Sequence, residues 1–246
     1  HRDLHSFPTR RSSDLAVKDG CSYDTSMGMT PLEGLVMGTR SGDIDPGILF
    51  HMMKRGGLHA GEVEKKLNKE SGVLGLTGHW ADRRDIENAA EQGNHDAKLA
   101  QQIESYRIKK YVGAYYAALG RVDAIVFTAG VGEMGPITRE LALEGLEELG
   151  IVIDKEKNAK AKCRNAELDI TGKGSKAKVF VIPTDEELVM TEEAYPLMNG
   201  TYDVHTKYTY HFQDPAYVNK QRAEGLEKDL QKKPWLADMI AHPPKK

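Results

Sequence analysis

The sequence predicts an α/β fold, and three observations carry that prediction. Segments with an apolar period near 3.6 residues alternate with short continuous apolar runs. One such run, Ala124–Phe127, leads straight into Gly130 and Gly132, the pattern of a strand entering a tight turn. At 39% hydrophobic residues the 246-residue chain has enough apolar surface for a core.

Each element follows from local chemistry. Asp45-Pro46 opens a helix over Gly47–Arg55 with apolar Ile48, Leu49, Met52 and Met53, Asp45 serving as its cap, and Gly56-Gly57 stops it. His59–Glu70 reads as a strongly charged helix and Ser71–Gly78 as a small-residue loop. Asp82–Gln92 begins another helix, with Asp85 and Glu87 favourably placed near its positive end. The longest helical pattern is Asp96–Leu119, where Leu99, Ile103, Tyr106, Ile108, Val112 and Tyr115 mark the apolar face.

Ala124–Phe127 is then expected as a buried strand. Ile137–Leu149 is expected as a helix ended by Gly150. Ile151–Ile153 and Lys178–Ile182 read as strands, and Glu186–Met198 as a helix. Beyond 201, Tyr202, Val204, Thr206, Tyr208, Tyr210 and Phe212 alternate as in an extended strap, and Tyr217–Lys232 is a charged helix stopped by Pro234.

Composition excludes several classes. A net charge of −3 supplies no field for nucleic acid or an anionic membrane. No apolar run approaches the roughly 18 residues of a membrane span, and His1–Leu15 lacks the apolar stretch of a signal peptide. Cys21 and Cys163 give neither a disulfide framework nor metal-ligand spacing, which suits a reducing cytoplasm. The first segment, 1–17, has no helical or strand period. It reads as non-native sequence and is set aside from fold reasoning.

The run from Asp24 to Pro46 concentrates four glycines, hydroxyls, carboxylates and one arginine. Gly38-Thr39 and Ser41-Gly42 strip bulk from both sides of Arg40, which suits a guanidinium meeting a phosphate or carboxylate with a planar pair of donors. Asp24, Thr25 and Ser26 either contact that anion or hold the loop. A glycine segment after a strand, Gly130–Met134, presents backbone N–H groups to phosphate, although Gly-x-Gly alone is a weak signal.

Three ordered stretches, Asp24–Pro46, Phe127–Glu133 and Val181–Glu187, closely resemble the signatures of the acetate kinase family. The resemblance spans roughly Lys18 to Leu197. It implies the actin-like ATPase (ribonuclease H-like) fold, of which this chain is mostly the second of two domains. The expected organisation is a nucleotide-binding domain over 18–200 with an extension, 201–246, packed on it.

The resemblance also implies residue roles. Arg40 is the catalytic guanidinium or a hold on the acyl carboxylate. Asp82, Arg83 and Arg84 fall where the family contacts ribose and base. Gly130, Val131, Gly132, Glu133 and Met134 form a nucleotide segment, with Glu133 orienting the turn. Met134 stands where many members have asparagine, which removes a side-chain hydrogen bond at that position. Glu186 is the magnesium-linked carboxylate, serving Mg²⁺ or Mn²⁺.

The implied reaction is reversible phosphoryl transfer from MgATP to acetate, giving acetyl phosphate and ADP, in a cytoplasmic homodimer that binds neither nucleic acid nor membrane. Propionate or butyrate kinase, or a nucleotide-binding module without catalysis, are the alternatives. The family's other domain is not recognisable ahead of Lys18, so little turnover is expected of this polypeptide by itself. The reading requires Arg40, Gly130 and Glu186 to meet one polyphosphate.

Overall fold

A computed structural model describes residues 14–202, 208–214 and 216–242. In chain order the elements are strands β1 (Leu15–Lys18) and β2 (Cys21–Thr25), then helices α1 (Gly47–Lys54), α2 (Ala60–Lys69), α3 (Gly72–Thr77), α4 (Arg83–Glu91) and α5 (His95–Leu119). There follow β3 (Ala124–Phe127), α6 (Ala129–Met134), α7 (Pro136–Leu143) and α8 (Lys155–Lys160). Strands β4 (Leu168–Asp169) and β5 (Lys178–Val181) precede α9 (Glu186–Met198) and α10 (Lys220–Lys232). The mixture is the expected α/β class. The chain divides into two compact units, one holding 14–123 with Ile137–Leu149, the other Ala124–Pro136 with the described residues from Gly150 onward.

In the first unit β1 and β2 form an antiparallel hairpin across Asp19-Gly20, both at positive φ (52° and 76°). That is the twist-matched two-residue turn that Asp-Gly favours. Residues 14–17, set aside at the sequence level, thus enter ordered structure: Ala16 is buried, and the Tyr115 hydroxyl of α5 donates to Asp14 Oδ1 at 3.1 Å. The core joins Val36, Val73, Ile86, Ala89, Ala90, Ala97 and Ala100, with Leu76, Trp80 and Ile103 packed against it.

Two expectations for this unit are corrected. Ser71–Gly78 is not a loop, because Gly72–Thr77 is helical. It buries Val73 and Thr77, ends at left-handed Gly78, and finds partners for its first N–H groups in a distant loop. The apolar face expected on α5 is buried only in part: Ile103 packs against the core, and Ile108, Val112 and Tyr115 are half-buried. Leu99 and Tyr106 are 38% and 61% exposed, whereas Ala97, Ala100, Gln101, Glu104 and Ser105 are buried. Small residues let α4 and α5 approach closely, and Glu104 goes inward to meet an arginine.

The second unit centres on a three-stranded sheet in the order β3-β5-β4, with β3 parallel and β4 antiparallel to β5. The expectation that β3 is fully buried is corrected: it is an edge strand, with Phe127 buried and Val126 48% exposed. In the stretch that belongs to the first unit, the helix expected over Ile137–Leu149 ends at Leu143, after which Gly145 takes a left-handed conformation and a short 3-10 turn covers Glu147–Leu149. Ile151–Ile153 contributes only a single bridge, Ile153 to Thr171.

Of the expected strap, Val204 and Thr206 lie outside the described residues. Tyr208, Tyr210 and Phe212 form a run of ring contacts at 5.0 and 4.9 Å rather than a strand. Helix α10 starts at Lys220 rather than Tyr217, because Asn219 caps it. Leu236 and Met239 are buried, and Ile240 bridges Leu168 of β4.

Candidate functional site

The run 24–46 is irregular backbone held by side chains. Asp43 is its hub: Oδ1 accepts the Gly34 N–H at 2.7 Å, and Oδ2 accepts the Tyr111 hydroxyl at 2.7 Å and pairs with Arg107 at 2.9 Å. Arg107 also donates to the Gly34 and Asp43 carbonyls. Asp45 Oδ1 accepts the Gly47 N–H, the first of α1, at 2.8 Å, while the residue at the cap position is Pro46 rather than Asp45. The Thr25 hydroxyl donates to the Asp14 carbonyl, a loop-holding contact.

Arg40 is partly buried on this run. Its neighbours bond to α2 and α3. Ser41 N–H donates to Leu67 O at 3.0 Å, Thr39 Oγ1 to Asn68 O at 2.9 Å, and the carbonyls of Met37, Gly38 and Thr39 accept N–H groups at the start of α3. A Cβ on Gly38 would lie 3.1 Å from the Ala81 carbonyl. The Arg40 loop therefore runs against the residue before Asp82, and the structure brings these two sequence motifs together within one unit.

Asp82 caps α4, its Oδ1 accepting the Arg84 N–H at 2.9 Å, while Oδ2 meets the Arg84 guanidinium at 2.7 Å. Those bonds hold the Asp82 carboxyl down to about 2. Arg84 is exposed and Arg83 turns inward. The Arg83 guanidinium bonds Glu104 and Thr138, with Glu87 3.9 Å from its Nε. Burial pushes the Glu104 carboxyl up, with Arg83 opposing. Arg139, completely buried, is lowered to about 10 by burial, with Glu87 opposing. Sequence reasoning missed this buried charge network, since nothing local marks Glu104 or Thr138 as partners of Arg83.

In the other unit the glycine segment is not a turn followed by a helix, as expected, but is itself the short helix α6. Its first residue, Ala129, sits at φ 57°, an unfavourable conformation for a residue with a Cβ. The Gly132 N–H donates to Thr128 O at 3.2 Å, so N–H groups able to meet a phosphate are those ahead of it. A Cβ on Gly132 would lie 3.0 Å from Phe127 carbonyl carbon, so a glycine allows α6 to sit on the end of β3. Gly130 is exposed, and Val131 and Met134 are partly buried. Glu133 is buried and accepts the Thr184 N–H at 2.9 Å and its hydroxyl at 3.1 Å. That bond brings the 130–134 segment to the loop that starts α9, whose first residue is Glu186.

Glu186 is partly exposed, and nothing among the described residues bonds its carboxylate. The described residues contain no cluster of three or more His, Cys, Asp or Glu side chains able to enclose a metal. One accessible carboxylate fits Mg²⁺, which keeps several waters and binds through one or two carboxylates plus substrate phosphates. No helix among the described residues is long and apolar enough to cross a membrane.

A model of the acetokinase family matches residues 11–192. The chain is 56% identical over 230 residues to the acetate kinase of Treponema pallidum, covering 93% of this chain and 51% of that protein. It is 55% identical over 208 residues to that of Geobacter sulfurreducens, covering 85% and 49%. The chain thus spans about half the length of the curated relatives it matches. Among solved structures it resembles acetate kinase from Porphyromonas gingivalis (TM-score 0.70, 47% identity, 76% of this chain and 46% of that one). It also resembles a propionate kinase from Francisella tularensis (TM-score 0.65, 44% identity, 71% and 44%).

Proposed function

This chain belongs to the acetokinase family, and from that premise we propose that it serves reversible phosphoryl transfer between MgATP and acetate. The observation that carries the reading is the Glu133–Thr184 bond, which ties the glycine segment to the loop bearing Glu186. A phosphate-facing backbone and a metal-facing carboxylate are the two parts a nucleoside triphosphate needs from one unit.

In this reading the N–H groups at the start of α6 hold nucleotide phosphate, and Met134 contributes backbone contact but no side-chain hydrogen bond. Glu186 holds Mg²⁺ or Mn²⁺, which when bound neutralises charge on the phosphates. Arg40 donates to the transferring phosphoryl group, whose equatorial oxygens carry the charge of an in-line displacement. Asp82 and Arg84 face ribose and base, and Arg83 fixes α4 from behind through Glu104 and Thr138.

Acetate is favoured over a longer acid because the Asp24–Pro46 run fits the acetate kinase signature so closely. The exposed Leu99 and Tyr106 of α5 belong to a homodimer surface, and the protein works in the cytoplasm. The test is acetyl phosphate formation, trapped as the hydroxamate, by this chain joined behind the part of the Treponema pallidum enzyme that precedes the matched region. Turnover with acetate and MgATP that collapses in Arg40→Ala, with MgADP binding retained, is the expected result. Preference for propionate or butyrate, or MgADP binding without any turnover, would overturn it in favour of one of the two alternatives.

A further inference from the structure

We propose that Gly72 and Thr39 are positioning residues for Arg40, Gly72 letting its loop seat on the start of α3 and the Thr39 hydroxyl tying it to α2, so that the guanidinium projects from fixed backbone. The inference rests on the reading of Arg40 as the phosphoryl-contacting arginine.

The first N–H groups of a helix have no partner within the helix. In α3 they are met by the Arg40 loop: Ser71 N–H donates to Thr39 O at 3.0 Å, Val73 N–H to Met37 O at 2.9 Å, and Leu74 N–H to Gly38 O at 2.9 Å. The loop closes on itself through Met37 N–H to Arg40 O at 3.1 Å. Its other edge is fixed to α2 by the Thr39 hydroxyl on Asn68 O and by Ser41 N–H on Leu67 O. Backbone on both sides of Arg40 is therefore anchored.

Gly72 makes this approach possible in two ways. Its φ of +62° is a conformation that side-chain-bearing residues rarely adopt. A Cβ there would also collide with Met37 O, and would lie 2.7 Å from Arg40 O and 2.9 Å from Arg40 N. All three atoms are backbone, so none can rotate aside. A side chain at 72 displaces the residue that carries the guanidinium. Misplacement of about 1 Å at a transferring group can cost about a hundredfold in rate.

The test combines two measurements. On the full chain, amide hydrogen exchange reads whether Ser71, Val73 and Leu74 keep their bonds to the loop. In the chimera with the Treponema pallidum segment, kcat and KM are measured for Gly72→Ala, Thr39→Val, Thr39→Ser and Arg40→Ala. Gly72→Ala is expected to lose exchange protection at 73 and 74 and to drop kcat about 10- to 100-fold, with KM for MgATP within about threefold. Thr39→Val drops kcat about fivefold and Thr39→Ser restores it, since serine keeps the hydroxyl.

If Arg40→Ala itself leaves kcat unchanged, the underlying reading of Arg40 is wrong. If Arg40→Ala collapses kcat while Thr39→Val and Gly72→Ala keep it, the reading survives and the positioning role is overturned. Should Gly72→Ala fail to fold, Thr39→Val against Thr39→Ser decides alone.

Discussion

The carboxylate of Glu133, in the middle of the glycine segment, accepts two hydrogen bonds from one residue, Thr184, 51 positions later in the chain. A buried carboxylate bonded to a backbone N–H and a hydroxyl is a directional clamp, because charge-assisted bonds are short and strong. Its effect is to set the distance between α6 and the first turn of α9, where Glu186 lies.

Removing the clamp therefore loosens both motifs. Glu133→Ala leaves the Thr184 N–H without that partner and is expected to cost about 1–3 kcal/mol. Thr184→Val removes only the hydroxyl bond and costs about 1 kcal/mol. Urea unfolding of the full chain measures both. Titration calorimetry with MgADP should show weaker binding in Glu133→Ala than its stability loss alone produces. Equal MgADP affinity in the folded variant would detach Glu133 from the nucleotide site.

Arg83 offers a different contrast, since its guanidinium is spent inside its own unit on Glu104 and Thr138. Arg83→Met strands a buried carboxylate and is expected to destabilise by about 3–5 kcal/mol. The double change Arg83→Met with Glu104→Met removes both charges and should recover most of that loss, because paired buried ions are replaceable by apolar groups. Thermal unfolding of the two variants checks the recovery. MgADP affinity in the double variant should match the parent if Arg83 works only from behind α4.

How far the sequence revealed this molecule depended on the range of the forces involved. Helices α1, α2 and α9 were legible because their stops and starts are local: Gly56-Gly57, Glu62 bonded back to His59, and Asp185 capping Leu188. The first hairpin was equally local, in Asp19-Gly20, and was lost only because the segment ahead of it was set aside. Helix α3 was not legible, because its glycine-rich composition favours a loop and its N–H partners come from residues 37–39. The buried side of α5 was read only in part for the same reason: Ile103 meets the core as expected, but Glu104 also faces inward to answer Arg83, 21 residues away. The motifs proposed for the site are short local runs of sequence. Their supports, Glu133 on Thr184 and Gly72 under Arg40, are long-range contacts that no window contains.

Asp82 gives a pH signature. Its carboxyl is lowered to about 2 by its bonds to Arg84. A depressed carboxyl contributes stability that is fully present above its unfolded value, about 3.9, and lost as pH falls through about 2. The pair is exposed, at 86% and 43%, so screening limits its worth and the cap dominates at about 1 kcal/mol. Asp82→Asn keeps a capping side chain but cannot ionise. The stability difference between parent and Asp82→Asn, from urea curves, should shrink as pH falls from about 4 to about 2. A gap unchanged with pH would show that the charge contributes nothing.

Leu99 and Tyr106 lie seven residues apart on one face of α5 and remain exposed. If they join a homodimer surface, Tyr106→Glu places a charge in its apolar part and should weaken self-association about tenfold or more. Sedimentation velocity across a concentration series reads this directly. An unchanged distribution would move the interface elsewhere.

The proposed role of Glu186 allows nucleotide binding to be separated from metal binding. Its carboxylate sits at the first position of α9, and the Asp185 side chain beside it is occupied, accepting Leu188 N–H at 3.2 Å and Asn219 Nδ2 at 2.9 Å. Asp185 is thus engaged at the helix start, and Glu186 is the carboxylate proposed above for the cation. Glu186→Gln keeps the size and the helix but removes the charge that a hard cation requires. ADP binding measured without magnesium should be unchanged within about twofold if the N–H groups at the start of α6 hold the phosphate as proposed, since the substitution leaves them untouched. Adding Mg²⁺ should strengthen ADP binding in the parent and do so at least about tenfold less in Glu186→Gln, the loss of one charged ligand. Asp185→Asn is the complementary variant: it should lower stability through the cap while leaving the magnesium increment intact. Were the magnesium increment to vanish in Asp185→Asn and persist in Glu186→Gln, the metal would belong to the neighbouring carboxylate instead.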